Sequence, residues 1–293
     1  MTVGMRIPGV THHTVRLNGL RVHYAEAGAG APVYQLHGYP ETWFAWRHQI
    51  PALAERYHVI APDLRGYGET DKPSSGYDKR TMANDIRALM RHLGHERIAL
   101  VGHDRGARVA TRFAKDHRDV LDRLVTMDNI PTRVVFNQTD SALARKYWFF
   151  YFQQVPDLPE ALVEGREEIF LRHFFSSWCY DPETLSDDEV AVYVRAYSQP
   201  GALRGAFNDY RAGAEDLAQD LADADELISC PTLTIWGADF DLVGGTFDVL
   251  EVWKGMASDV RGVPIPRCGH LPHEEQPQVV NRELVAFLDG WHG

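Results

Sequence analysis

Asp104 stands at the centre of Val101-Gly102-His103-Asp104-Arg105-Gly106, where a short apolar run, Ile98–Val101, hands over to a helix-forming segment that begins near Arg105. A sharp strand-to-helix turn strains its central residue and crowds the backbone around it, so it needs small residues on either side. Gly102 and Gly106 supply them. The pattern reads as a nucleophile elbow carrying a carboxylate. An aspartate is ionised at neutral pH and has no hydroxyl, which disfavours serine-type acyl transfer. It is suited instead to in-line attack on an alkyl carbon, forming an ester that base-activated water then hydrolyses. A glycine-flanked aspartate can also be a plain helix N-cap, so the reading depends on partners elsewhere in the chain.

Those partners are present in a consistent order. His270, in Cys268-Gly269-His270, follows the last strand-like run and precedes a helical segment at Glu274–Leu288, which makes it the candidate base among fourteen histidines. His103, His117 and His273 read as structural or solvent-facing. Two acids could orient the imidazole. Asp128, in Met127-Asp128-Asn129-Ile130-Pro131-Thr132, follows the strand after the elbow helix; Asp239, in Trp236-Gly237-Ala238-Asp239-Phe240, follows the next core strand. The turn His37-Gly38-Tyr39-Pro40 directly follows the apolar run Val33–Leu36, so the Tyr39 N–H can join the Arg105 N–H in an oxyanion hole.

The elements that would hold these residues follow from apolar periodicity. Two alternating runs around Asn18-Gly19, within His13–Ala25, predict a β-hairpin. Strand-like runs follow at Val33–Leu36, His58–Ala61, Ile98–Val101, Leu121–Met127, Thr232–Trp236 and Val260–Ile265, most of them separated by amphipathic helix-length segments such as Arg80–Leu93 and Arg105–Asp116. Such alternation predicts an α/β fold with a doubly wound, mostly parallel sheet. Residues 131–227 interrupt it with an aromatic, helix-forming stretch and are expected to form an inserted helical lid (cap), leaving 1–130 and 228–293 as the core.

Composition limits the partners. A chain of 293 residues with 44% hydrophobic and 24% charged residues can bury a large core. Its net charge of −11 argues against nucleic acid and anionic membranes and favours a small-molecule substrate. Met1–Val10 lacks the basic and apolar regions of a signal peptide, and no stretch approaches the roughly 20 apolar residues of a membrane span, so a soluble cytoplasmic protein is expected. Cys179, Cys230 and Cys268 are odd in number and widely spaced, which suggests neither a disulfide framework nor a zinc site. No dinucleotide turn, phosphate loop or metal-ligand cluster is evident, so no cofactor is expected.

From about Gly19 onward the chain resembles the epoxide-hydrolase and haloacid-dehalogenase branch of the α/β-hydrolases. Tyr39–Arg47 (Y-P-E-T-W-F-A-W-R) and Asp63–Pro73 (D-L-R-G-Y-G-E-T-D-K-P) resemble blocks shared by both. His103-Asp104-Arg105-Gly106-Ala107-Arg108 is more specific: epoxide hydrolases usually carry Trp after the nucleophile, whereas haloacetate dehalogenases carry Arg there and again three positions on. The resemblance implies Arg105 and Arg108 as a fork for a substrate carboxylate. It also favours Asp128, narrowly, as the triad acid; Asp239 resembles the epoxide-hydrolase position.

The lid departs from the dehalogenase pattern. Ala144–Gln154 resembles the helix that in fluoroacetate dehalogenases presents a His-Trp pair to fluoride, but those positions read Phe149 and Phe150. Tyr210 matches the lid tyrosine that both branches aim at the leaving group. Losing two donors favours chloride, bromide or an epoxide oxygen over fluoride. Trp148 is a candidate donor to a larger halide, and Tyr147 a second phenol beside Tyr210, while the rest of Tyr147–Phe152 reads as an aromatic packing stripe. The leading expectation is a 2-haloacid (haloacetate-type) dehalogenase, followed by an epoxide hydrolase and then an inactive binding protein on the same fold. The resemblance suggests a homodimer, through the lid or a sheet edge.

Overall fold

The computed structural model describes residues 7–293; the part of the signal-peptide expectation that concerns Met1–Arg6 lies outside them. β1 (Thr11–Leu17) and β2 (Leu20–Ala27) pair antiparallel around Asn18-Gly19. Both turn residues have positive φ, 50° and 85°, as a two-residue hairpin turn requires. The remaining strands are β3 (Ala31–Leu36), β4 (Tyr57–Pro62), β5 (Ile98–His103), β6 (Leu121–Met127), β7 (Thr232–Gly237) and β8 (Val260–Ile265).

They form one eight-stranded sheet in the order β1-β2-β4-β3-β5-β6-β7-β8, parallel from β4 to β8 and antiparallel in the hairpin and its junction with β4. This is the doubly wound sheet expected from the sequence. Every residue of the central strand β5 is buried, so helices cover both of its faces, and this is why β5 reads as a continuous apolar run rather than an alternating one. The carboxyl ends of β3, β5, β6 and β7 therefore converge beside one another, and the residues that follow them meet.

Helix Lys79–His92 starts where Asp78 accepts from the Thr81 N–H, and helix Asp104–Asp116 springs directly from β5. The single C-terminal helix expected at Glu274–Leu288 is in fact two, Pro272–Glu275 and Pro277–Leu288. Pro277 has no N–H to continue the first helix and suits the first turn of the second. Between β6 and β7 the chain forms a series of helices joined by loops from Thr132 to Ala222, including Ser141–Lys146, Trp148–Gln154, Glu167–Trp178 and Ala202–Arg211. This helical insertion is tied to the sheet-bearing part by ion pairs: Arg47 reaches Glu189 of the insertion at 2.8 Å, and Arg105 reaches Asp209 at 2.7 Å. Among the described residues no helix is long and apolar enough to cross a membrane.

Candidate active site

The turn after β5 bends as its glycines predict. Asp104 has φ of +44°, a left-handed conformation costing on the order of 1–3 kcal/mol for a residue with a Cβ. A Cβ on Gly106 would lie 2.2 Å from the Leu36 carbonyl oxygen, and one on Gly102 2.7 Å from the Ala107 Cα. Only glycine fits either site. The strained turn lifts the Asp104 carboxylate out of the sheet, and Asn129 Nδ2 holds its backbone by donating to the Asp104 carbonyl at 3.0 Å.

Tyr39 and His270 reach that carboxylate, and the Arg105 N–H follows it directly in the chain. The Tyr39 N–H donates to Asp104 Oδ1 at 3.0 Å. The Arg105 N–H belongs to the first helical turn, where N–H groups have no intrahelical acceptor. His270 Nε2 stands 3.6 Å from Asp104 Oδ2, and its Nδ1 lies 2.6 Å from Asp128 Oδ2. Asp128 is itself held in a left-handed conformation, φ of +43°, while its other oxygen accepts from the Gly237 N–H at 3.0 Å. Asp239 does not reach His270: it is exposed, and its carboxylate accepts from the Arg267 N–H at 2.7 Å, closing a turn. The alternative of Asp239 as orienting acid is thus corrected. Asp239 lies two residues beyond β7, and although its backbone N–H donates to the Cys268 carbonyl at 3.1 Å, its side chain is turned outward onto the Arg267 turn.

Electrostatics couple the three side chains. Burial works against an ionised Asp104, but the adjacent His270, then His103 and the Tyr39 N–H, outweigh it and hold the carboxyl at about 2. Burial likewise opposes an imidazolium at His270, yet Asp104 and Asp128 raise it to about 10. In the free protein the arrangement is an imidazolium between two carboxylates.

A small cavity of about 20 Å³, space for a water or two, lies against Asp104 and His270. Its wall includes Arg108, Tyr147, Phe149, Phe150 and Trp178. A roomier groove of about 620 Å³, beside Trp43, Asp63 and Lys72, touches none of the three coupled side chains, so the smaller cavity is the one with chemistry.

The two arginines separate. Arg105 does not face the cavity: its guanidinium is buried and spans both oxygens of Asp209 in the insertion, at 3.1 and 2.7 Å. This corrects its expected role as half of a carboxylate fork. Arg108 does line the cavity; it donates to Thr132 Oγ1, its Nε–H has no partner, and among the described residues no carboxylate lies within ion-pair distance. Burial, and then the charge of Arg105, lower its pKa.

Tyr210 is buried beside Asp104, its hydroxyl without a hydrogen-bond partner and its ring edge-on to Tyr39 at 5.3 Å. Tyr147, Phe149 and Phe150 reach the cavity, but Trp148 does not. Trp148 is 41% exposed and lies parallel to Phe174 on the outer side of the insertion, because successive residues of a helix point about 100° apart. Its expected role as halide donor is corrected.

Sequence reasoning missed Trp178, whose ring stands edge-on to His270 at 4.8 Å and whose carbonyl accepts from the His270 N–H at 2.7 Å. It also missed Glu41, buried between His103 and His273 at 2.8 and 2.9 Å. These three residues have metal-ligand types and spacing, but each is already hydrogen-bonded to another, and Glu41 also accepts from the Gly38 N–H. His103 further bonds the His270 carbonyl at 2.8 Å, so the cluster ties the oxyanion turn, the elbow and the base together. Its signal was the glutamate of Y-P-E, the residue directly after the oxyanion turn.

The description "alpha/beta hydrolase fold" matches residues 31–277. The chain belongs to this family. A soluble epoxide hydrolase from Corynebacterium sp. (strain C12) is 40% identical over 284 residues, covering 95% of this chain and 97% of that one. A fluoroacetate dehalogenase from Burkholderia sp is 34% identical over 293 residues, covering 96% and 94%. The solved structure of the epoxide hydrolase CorEH without ligand superposes with a TM-score of 0.90 at 38% identity, covering 95% of this chain and 98% of that one. This α/β-hydrolase is therefore an enzyme of the hydrolase class, in the branch that holds both activities.

Proposed function

We propose that this α/β-hydrolase is an epoxide hydrolase that works through a covalent ester on Asp104. The observation that carries the reading is the Tyr210 hydroxyl, buried and unpartnered beside Asp104, while a second phenol, Tyr147, lines the cavity that Asp104 faces. Two phenols suit an epoxide oxygen, which must gain a proton as its C–O bond breaks. The sequestration of Arg105 by Asp209 removes half of the carboxylate fork on which a haloacid reading leans.

Asp104 Oδ2, the oxygen not held by the Tyr39 N–H, attacks one epoxide carbon. The C–O electron pair moves to the ring oxygen, which takes a proton from Tyr210. With the Asp104 charge gone, the His270 imidazolium gives up its proton, which restores the Tyr210 phenol; the neutral imidazole then takes a proton from water, whose oxygen adds to the ester carbonyl while Asp128 holds the imidazolium re-formed. The Tyr39 and Arg105 N–H groups receive the oxyanion. Collapse releases a vicinal diol, and one oxygen of Asp104 now comes from water.

A second reading, displacement of halide from a 2-haloacid, rests on Arg108, the cavity-lining guanidinium without a carboxylate partner among the described residues. It uses the same ester. With Phe149 and Phe150 in place of two donors, chloride and bromide are expected to leave more readily than fluoride. Incubation with styrene oxide and, separately, with fluoro-, chloro- and bromoacetate, using Asp104→Asn as the blank, tests both readings. Diol without halide release supports the first; halide release from the haloacetates alone overturns it.

A further inference from the structure

The ion pair between Arg105 and Asp209 joins two residues whose neighbours meet at the site. Arg105 directly follows Asp104, and Asp209 directly precedes Tyr210. The guanidinium donates to Asp209 Oδ2 through Nε at 3.1 Å, to Oδ1 through Nη2 at 2.7 Å, and to the Asp209 backbone carbonyl at 2.7 Å. Its face also lies over the Tyr210 ring, 4.4 Å from the centroid. One side chain on the elbow therefore grips the backbone, the carboxylate and the neighbouring ring of helix Ala202–Arg211.

The surroundings keep Arg105 in this position. Asp209 also takes a hydrogen bond from Tyr67 Oη at 2.7 Å and pairs with Lys79, whose ammonium lies 3.2 Å from Asp216. Two cations and two carboxylates offset one another in a seam where all four side chains are at most 4% exposed. Swinging Arg105 toward a substrate would leave Asp209 short of a cation in a dry environment, which is costly.

We infer that Arg105 is a positioning residue rather than a substrate ligand: by holding Asp209 and stacking on Tyr210, it fixes the Tyr210 hydroxyl over the carbon that Asp104 attacks. This deepens the proposed function and rests on Tyr210 as proton donor. It also leaves Arg108 as the one guanidinium of the pair open to a substrate anion.

A double-mutant cycle on the intact enzyme tests it, reading the single-turnover rate of epoxide opening and the KM for neutral styrene oxide and for carboxylate-bearing glycidate. Arg105→Met is expected to slow opening of both epoxides at least about tenfold with little change in either KM, as loss of an aligned donor does. In a Tyr210→Phe background it is expected to cost little more, because the group it positions is already gone. Arg105→Lys keeps the charge but loses the fork, and an intermediate loss is expected; it carries the test if Arg105→Met does not fold.

A rise in KM for glycidate alone would make Arg105 a carboxylate ligand and overturn the inference. So would full additivity with Tyr210→Phe. An unchanged opening rate in Tyr210→Phe by itself would instead remove the donor role, and with it the proposed function.

Discussion

Asp128 and His270 are separated by 142 positions in the chain and by 2.6 Å in the structure, Oδ2 to Nδ1. Their contact decides which of two aspartates acts on the base. Asp128→Asn should slow ester hydrolysis by about 10³-fold or more, since an amide permits the wrong imidazole tautomer and cannot balance its charge. Asp239→Asn should stay close to the parent rate, because that carboxylate only closes a turn onto Arg267. Single-turnover decay of the ester measures both; equal losses would contradict the assignment.

The pH dependence should differ between the two halves of the reaction. With Asp104 held at about 2 and His270 raised to about 10, neither changes charge between these values, so ester formation should be flat across them. Esterification removes the Asp104 charge, one of the two that raise His270. The imidazole in the ester should therefore lose its proton at a lower pH than in the free protein. Hydrolysis should rise with pH through a midpoint below 10. Stopped-flow fluorescence, with Trp178 against His270 as reporter, separates the phases; a midpoint shared by both would refute the charge coupling.

Arg108→Met should raise KM for anionic substrates such as chloroacetate or glycidate and leave styrene oxide nearly unaffected. Its guanidinium lines the cavity with the Nε–H unpartnered, and a bidentate ion pair with a buried carboxylate contributes a few kcal/mol at most after desolvation. Equal effects on neutral and anionic substrates would make Arg108 a packing residue.

Gly106→Ala should destabilise the fold by about 3 kcal/mol, since overpacking against backbone that cannot yield costs on this scale. The new Cβ would fall 2.2 Å from the Leu36 oxygen and 2.4 Å from that of His37. Urea unfolding measures the loss, and a parental midpoint would contradict the crowding argument.

Residues fixed by local backbone demands were legible in the sequence. The elbow shows because glycines must flank Asp104, β5 because both its faces are buried, and the hairpin because Asn18-Gly19 accepts positive φ. His270 was legible from its position after the last strand. Side-chain direction was not. Arg105 and Arg108 are one helical turn apart, yet one meets an acid supplied by a helix about a hundred residues later and the other meets the cavity. Trp148 and Trp178 sit in similar aromatic stretches, and only tertiary packing turns the second toward His270. The split at Pro277 was locally readable and was overlooked, because apolar periodicity continues through it.

The ester on Asp104 is the claim from which the rest follows. His270→Ala, mixed with styrene oxide and quenched, should accumulate protein heavier by one substrate molecule, and peptide mapping should place the added mass on Asp104. No adduct, or an adduct on any other residue, would contradict the account.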